Sequence, residues 1–107
     1  MRLLFICSRN INRSRTAEVI FRNKPQFEVR SAGTDETARI TVNAGHIRWA
    51  DLIFVMEHMH RRMLEQRFSR ELFGKSVIVL NIPDAYYFMD DELVNILLER
   101  VSDYIEL

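Results

Sequence analysis

The stretch Met1-Arg2-Leu3-Leu4-Phe5-Ile6-Cys7-Ser8-Arg9-Asn10-Ile11-Asn12-Arg13-Ser14 decides the fold. Residues 2–6 read as a strand whose continuous apolar run suits a parallel sheet covered on both faces. From about Ser14 onward, Ala17, Ile20 and Phe21 fall at helical spacing, and the helix stops before Pro25. Residues 7–14 therefore join a buried strand to a helix. A loop in that place turns successive backbone N–H groups inward and ends on a helix N-terminus, and both features bind anions. The same positive field favours the thiolate of Cys7. Arg13 follows the cysteine by six residues, so its guanidinium can return across a wrapped anion and grip two oxygens. The Ser14 hydroxyl is placed to donate to the sulfur.

Working outward, Phe27 to Arg30 reads as a second strand and Ser31-Ala32-Gly33-Thr34 as a turn. Residues 41–50 suit a short helix, Leu52 to Met56 a third strand, and Val77 to Leu80 a fourth. Met59, Met63 and Leu64 fit a helix between the last two strands, with arginine on its outer face. Pro83 to Phe88 is a loop. Asp90, Asp91 and Glu92 suit the first turn of a last helix, where acidic groups oppose the helix dipole. Leu93, Leu97, Val101 and Tyr104 would be that helix's buried stripe. Strands alternating with helices imply an α/β domain, a four-stranded parallel sheet with helices on both faces in three layers. No repeat, linker or low-complexity tract divides residues 1–107, so one domain is expected. Ligands of such sheets bind beyond the carboxyl ends of the strands, where Cys7 and Asp84 would both lie.

Composition narrows the function classes. The net charge is zero and 48% of residues are hydrophobic, as in an ordinary globular protein. The charge is unevenly spread: residues 1–75 hold 14 of the 15 basic residues and 8 of the 15 acidic ones, leaving about +6 there and −6 in the remainder. All but Lys24 and Lys75 of the basic residues are arginine, which suits planar recognition of phosphate. No apolar run is long enough to span a membrane. The lone cysteine cannot form an internal disulfide, which points to a reducing, cytoplasmic setting. His58 and His60 do not share a helix face and His46 is remote, so neither a metal nor another cofactor is expected. Arg61, Arg62, Arg67 and Arg70 read as a solvated helix face rather than a nucleic-acid surface. Trp49 reads as core. Tyr86 and Tyr87 suit either an aromatic rim for an aryl phosphate or packing on the sheet edge.

The loop resembles that of the low-molecular-weight protein tyrosine phosphatases, which runs Cys, variable, Gly, Asn, apolar, often Cys, Arg, Ser. Cys7, Asn10, Ile11, Arg13 and Ser14 match it, and Ala17 and Glu18 match the helix that follows. Ser31-Ala32-Gly33-Thr34 matches the turn after the second strand. Trp49-Ala50-Asp51 with Met56 resembles the third-strand region, and Asp84-Ala85-Tyr86-Tyr87 the general-acid loop. The resemblance covers nearly the whole chain in order. Arg9 stands where the family has glycine, Asn12 where it often has a second cysteine, and Ala85 where proline follows the acid. The Thr34–Trp49 connection is much shorter than the family's, whose longer stretch supplies part of the substrate rim.

The resemblance implies a phosphatase acting on phosphate monoesters, with a phosphorylated protein or a small aryl phosphate as substrate and inorganic phosphate as product. Cys7 would attack phosphorus. The loop amides of Ser8, Arg9, Asn10, Ile11 and Asn12, with Arg13 and Ser14, would hold the transferring group. Asp84 would protonate the leaving oxygen and then deprotonate water. Asn10 would brace the loop toward Ser31. Three rivals stand beside this reading: a phosphate-binding module with little turnover, an arsenate reductase, and a carrier of a cysteine-bound phosphoryl group. The second usually relays electrons through further cysteines, which this chain lacks.

Overall fold

The computed structural model describes residues 1–107. The elements run β1 (Arg2–Cys7), α1 (Arg13–Phe21), β2 (Glu28–Gly33), α2 (Ala44–Trp49), β3 (Leu52–Val55), α3 (His58–Arg67), α4 (Ser69–Leu72), β4 (Val77–Val79) and α5 (Asp91–Ser102). All four strands are parallel, in the order β2-β1-β3-β4. This is the α/β architecture expected from the alternation of strands and helices.

Side-chain alternation along β1 builds a core on each face of the sheet. Leu3, Phe5 and Cys7 point to the side covered by α1 and α5, where they meet Ala17, Phe21, Leu93, Leu97 and Val101. Leu4 and Ile6 point to the other side and meet Ile47, Leu64 and Leu72 from α2, α3 and α4. Leu3 to Ile6 are wholly buried, so the unbroken apolar run has its reason in a strand covered twice. Phe5 is stacked between Phe21 and Phe54, with ring centroids 5.3 and 5.1 Å apart. Truncating Phe5 to alanine would cost about 3–5 kcal/mol.

Several local expectations are corrected. The segment Ser31–Gly33 is the end of β2, because Phe5, Ile6 and Cys7 pair with Ser31, Ala32 and Gly33. The short α4 was not anticipated. Tyr104 is not part of the buried stripe: α5 ends at Ser102, and Tyr104 lies half-exposed, touching Phe54 edge-on. Trp49 is only half-buried, with the Arg30 guanidinium 4.3 Å over its ring. The short α2 is held at both ends. Asn43 Oδ1 accepts from His46 N–H and His46 Nδ1 accepts from Asn43 N–H. The Lys75 ammonium donates to the carbonyls of Ile47, Arg48 and Ala50 at its far end, satisfying groups a helix terminus leaves open. No helix is long and apolar enough to cross a membrane.

Candidate active site

The strand order reverses between β1 and β3, and the crevice beyond the carboxyl ends of these strands holds the candidate site. Cys7 ends β1, Glu57 follows β3 and Asp84 follows β4. Cys7, Arg9, Ile11, Asn12, Arg13 and Asp84 line one cavity of about 100 Å³. That is well below the roughly 300–1,000 Å³ of most small-molecule pockets, and suits a single small anionic group.

The loop from Ser8 to Asn12 sorts its peptide groups by direction. The carbonyls of Cys7, Ser8 and Arg9 accept backbone N–H groups of Thr34, Asp35 and Arg39, and the carbonyl of Asn10 accepts Arg39 Nε. On the opposite side, Asn10 N–H donates to Cys7 Sγ at 3.2 Å. The amides of Arg9, Ile11, Asn12, Arg13 and Ser14 meet no acceptor in the protein. The last of these belong to the open first turn of α1, where the helix dipole adds positive potential. Such an array is an anion cradle around the sulfur.

A directed chain of hydrogen bonds lies beneath it. Asn10 Nδ2 donates to Ser14 Oγ at 2.7 Å and to Ser31 Oγ at 2.9 Å. Ser31 Oγ in turn donates to Glu18 Oε1. Asn10 engages one lone pair of Ser14 Oγ, which stands 2.9 Å from Cys7 Sγ and 3.5 Å from the Ala32 carbonyl, so its proton can serve either acceptor. Asn10 is wholly buried at φ 58°, a left-handed conformation that asparagine tolerates better than most residues. Its Oδ1 is buried without a partner, the one such side-chain atom in the chain.

Arg13 is 2% exposed. Nη1 donates to Glu57 Oε2 at 2.9 Å and to the Ile82 carbonyl at 2.8 Å. Its Nε–Nη2 edge forms no hydrogen bond, and Nε stands 3.8 Å from Asp84 Oδ1. The side chain is thus clamped along one edge and leaves the other for a ligand. Asp84 itself is 65% exposed. Its loop is pinned to α1 further along, where Thr16 Oγ1 accepts Met89 N–H and Arg15 lies 4.2 Å over the Phe88 ring. Met89 has φ 62°, an uncommon conformation for such a side chain.

Neither Tyr86 nor Tyr87 lines the cavity. Tyr86 packs against the core beside α5, and Tyr87 is 82% exposed. Ser8 turns away as well, its Oγ 2.8 Å from His60 Nε2. His60 Nδ1 accepts Glu57 N–H at 3.0 Å, which puts the ring proton on Nε2, pointing to Ser8. Burial first, then the nearby Arg13 charge, pushes His60 down to about 4, against the opposing pull of Glu57 and Asp84. Glu57, His60 and Arg39 escaped the reading of the sequence. A capping pattern at residues 57–60 is the only local signal that marks two of them. No group of histidine, cysteine and carboxylate side chains forms a cluster suited to a metal.

A cysteine at the end of the first strand, under an arginine-bearing cradle on an order 2-1-3-4 sheet, defines the class: the chain has the fold of the low-molecular-weight protein tyrosine phosphatases. It is similar to the solved structure of the YwlE arginine phosphatase from Geobacillus stearothermophilus, at 22% identity over 95% of this chain and 90% of that one, with a TM-score of 0.69. It is similar to the tyrosine phosphatase Wzb from Escherichia coli K30 in complex with phosphate, at 21% identity over 96% and 94%, with a TM-score of 0.73. It is also similar to YfkJ from Bacillus subtilis, at 19% identity over 99% and 94%, with a TM-score of 0.74. No family model matches the sequence, and no curated protein matches it by sequence.

Proposed function

We propose that this protein is a cysteine-dependent phosphatase of the low-molecular-weight type, hydrolysing phosphate monoesters, protein phosphotyrosine first among them. One observation carries the reading: unpaired loop amides and the free edge of a clamped arginine meet around the sulfur of Cys7 in a cavity that also holds Asp84. In this reading the Cys7 thiolate attacks phosphorus, forming the S–P bond as the leaving oxygen departs with a proton from Asp84. The amides and the Nε–Nη2 edge of Arg13 stabilise the charge spread over the transferring oxygens. Ser14 Oγ, 2.9 Å from the sulfur, would donate to the thiolate, which can only accept, and so favour its return as a leaving group. Water, deprotonated by Asp84, then attacks phosphorus, releasing inorganic phosphate and the thiolate. A cytoplasmic setting accords with a reactive thiol that has no partner cysteine.

The exposure of Asp84 and the alanine that follows it favour a second reading, a phosphate-binding module of the same fold with little turnover. Steady-state hydrolysis of an aryl phosphate separates the two. The phosphatase reading expects turnover that Cys7→Ser abolishes with the fold intact, and that Arg13→Lys largely removes, since lysine cannot offer a two-pronged edge. Phosphate binding without turnover would leave the module. A phosphotyrosine peptide and a phosphoarginine peptide compared as substrates would then place the protein beside Wzb or beside YwlE.

A further inference from the structure

The segment that leaves the end of β2, residues 33–39, is closely engaged with the loop. We propose that residues 33–39 are a brace that holds the loop's amides toward the anion, with Arg39 as a positioning residue. The inference rests on the phosphate-binding reading above, and deepens it.

Four consecutive loop carbonyls, of Cys7, Ser8, Arg9 and Asn10, accept from this segment at 3.0, 2.9, 3.0 and 3.0 Å. A peptide plane that turns its carbonyl one way turns its N–H the other. Holding the carbonyls from Cys7 to Asn10 outward therefore holds the amides of residues 8 to 11 inward. Arg39 supplies two of the four contacts, one from its backbone N–H and one from Nε. Its guanidinium also brings a positive charge behind the cradle. Gly33 lets the segment come this close: a Cβ there would meet Ser8 O at 2.4 Å and Ala38 Cβ at 2.7 Å. The segment is closed on itself at its base, with Gly33 N–H donating to Ile40 O and Val42 N–H to Gly33 O. Asp35, its carboxylate held by Thr37 N–H and Oγ1, shapes the turn between. A short, internally tied segment holds its shape with less ordering entropy than a long one.

The test uses the whole chain, with inorganic phosphate as the probe. Calorimetric affinity for phosphate and amide hydrogen exchange are measured for the wild type, Arg39→Ala, Arg39→Lys and Gly33→Ala. Arg39→Ala is expected to weaken phosphate about tenfold, the size of one lost charge-assisted hydrogen bond. In the free protein, exchange should accelerate at Thr34, Asp35 and residue 39, whose N–H groups the loop carbonyls hold, and at Asn10, whose N–H is held by Cys7 Sγ, and not in β1, β3 or α5. Arg39→Lys should recover part of both effects, and Gly33→Ala should reproduce both. Unchanged exchange at these four amides would overturn the brace, as would acceleration spread evenly over the chain, or accelerated exchange there with phosphate affinity intact. A wild type that binds no phosphate would sink the phosphatase reading instead, and the exchange data alone would then decide whether the brace exists.

Discussion

Glu57 Oε2 lies 2.9 Å from Arg13 Nη1, joining residues 44 apart in the chain into one charge-paired unit beneath the cradle. Arg13 is almost completely removed from water, so its charge depends on that carboxylate and on the Ile82 carbonyl. Glu57→Ala should destabilise the fold by roughly 2–3 kcal/mol, below the range for a fully buried pair because Glu57 is partly open to solvent. Glu57→Gln keeps an acceptor and should cost less in stability, while still lowering kcat on an aryl phosphate through a less fixed Arg13. Urea unfolding and steady-state kinetics on the two variants check this. Unaltered stability and turnover in Glu57→Ala would mean that Arg13 needs no partner.

Asp84 is the second carboxylate near Arg13, and its expected work is proton transfer. Asp84→Asn should slow esters with poor leaving groups by about 100-fold or more, and esters with good leaving groups far less. The measurement is a series of substituted phenyl phosphates plotted against leaving-group acidity. A uniform effect across the series would make Asp84 structural, and the search for the acid would move to Asp90 or Asp91.

His60 gives the molecule an acid-sensitive joint. Its folded pKa, about 4, lies below the ordinary 6.5, so between these values the unfolded chain binds a proton that the folded chain does not. Stability therefore rises with pH across that window, is fully present above about 6.5, and is lost as pH falls toward 4. The loss amounts to as much as about 3 kcal/mol from this residue. Urea midpoints at pH 7 and pH 5 should differ more in the wild type than in His60→Gln. The comparison is needed because His46, also lowered chiefly by burial, contributes in the same direction. Equal pH dependence in the two proteins would show that His60 titrates normally.

Oxidation is the last expectation. The chain has one cysteine, and Asn12 occupies the loop position from which a second thiol would trap a sulfenic acid. Without added thiol, graded peroxide should carry Cys7 past the sulfenic stage to sulfinic acid, which dithiothreitol does not reverse. Mass spectrometry of the Cys7 peptide reads the outcome. Complete recovery of turnover with no sulfinic product would reveal a protective route in the loop itself, such as a backbone sulfenamide.

What the sequence made legible was whatever is written in short-range pattern. The run Leu3–Ile6 announced a doubly covered strand because burial on both faces demands it, and the strand–loop–helix succession placed Cys7 and Arg13 together. The bond from Asn10 to Ser31 came from resemblance rather than spacing. Illegible were contacts between distant segments: Arg13 with Glu57, Ser8 with His60, and the four carbonyls held by residues 34–39. No periodicity selects which acidic or imidazole side chain meets an arginine across a sheet. Tyr104 misled because its spacing from Val101 continues a helical stripe, while the helix itself ends at Ser102. Tyr86 and Tyr87 stayed open between a rim and core packing because spacing does not say which way an aromatic side chain turns; Tyr86 packs against the core and Tyr87 is exposed.

The position of β1 inside the sheet has a consequence for how the protein comes apart. Cys7 grows from a strand paired on both sides, whereas Asp84 follows β4, a three-residue edge strand with one neighbour. Subglobal opening favours segments with few buried contacts, so the exposed loop of residues 83–88 that follows this edge should fray at lower cost than β1. Mild denaturant would thus populate a form with a seated nucleophile and a detached acid. Such a form would retain its grip on inorganic phosphate and hold a phosphoryl group on sulfur longer than the intact molecule does. The earliest unfolding event would then be a change of chemistry before a loss of shape.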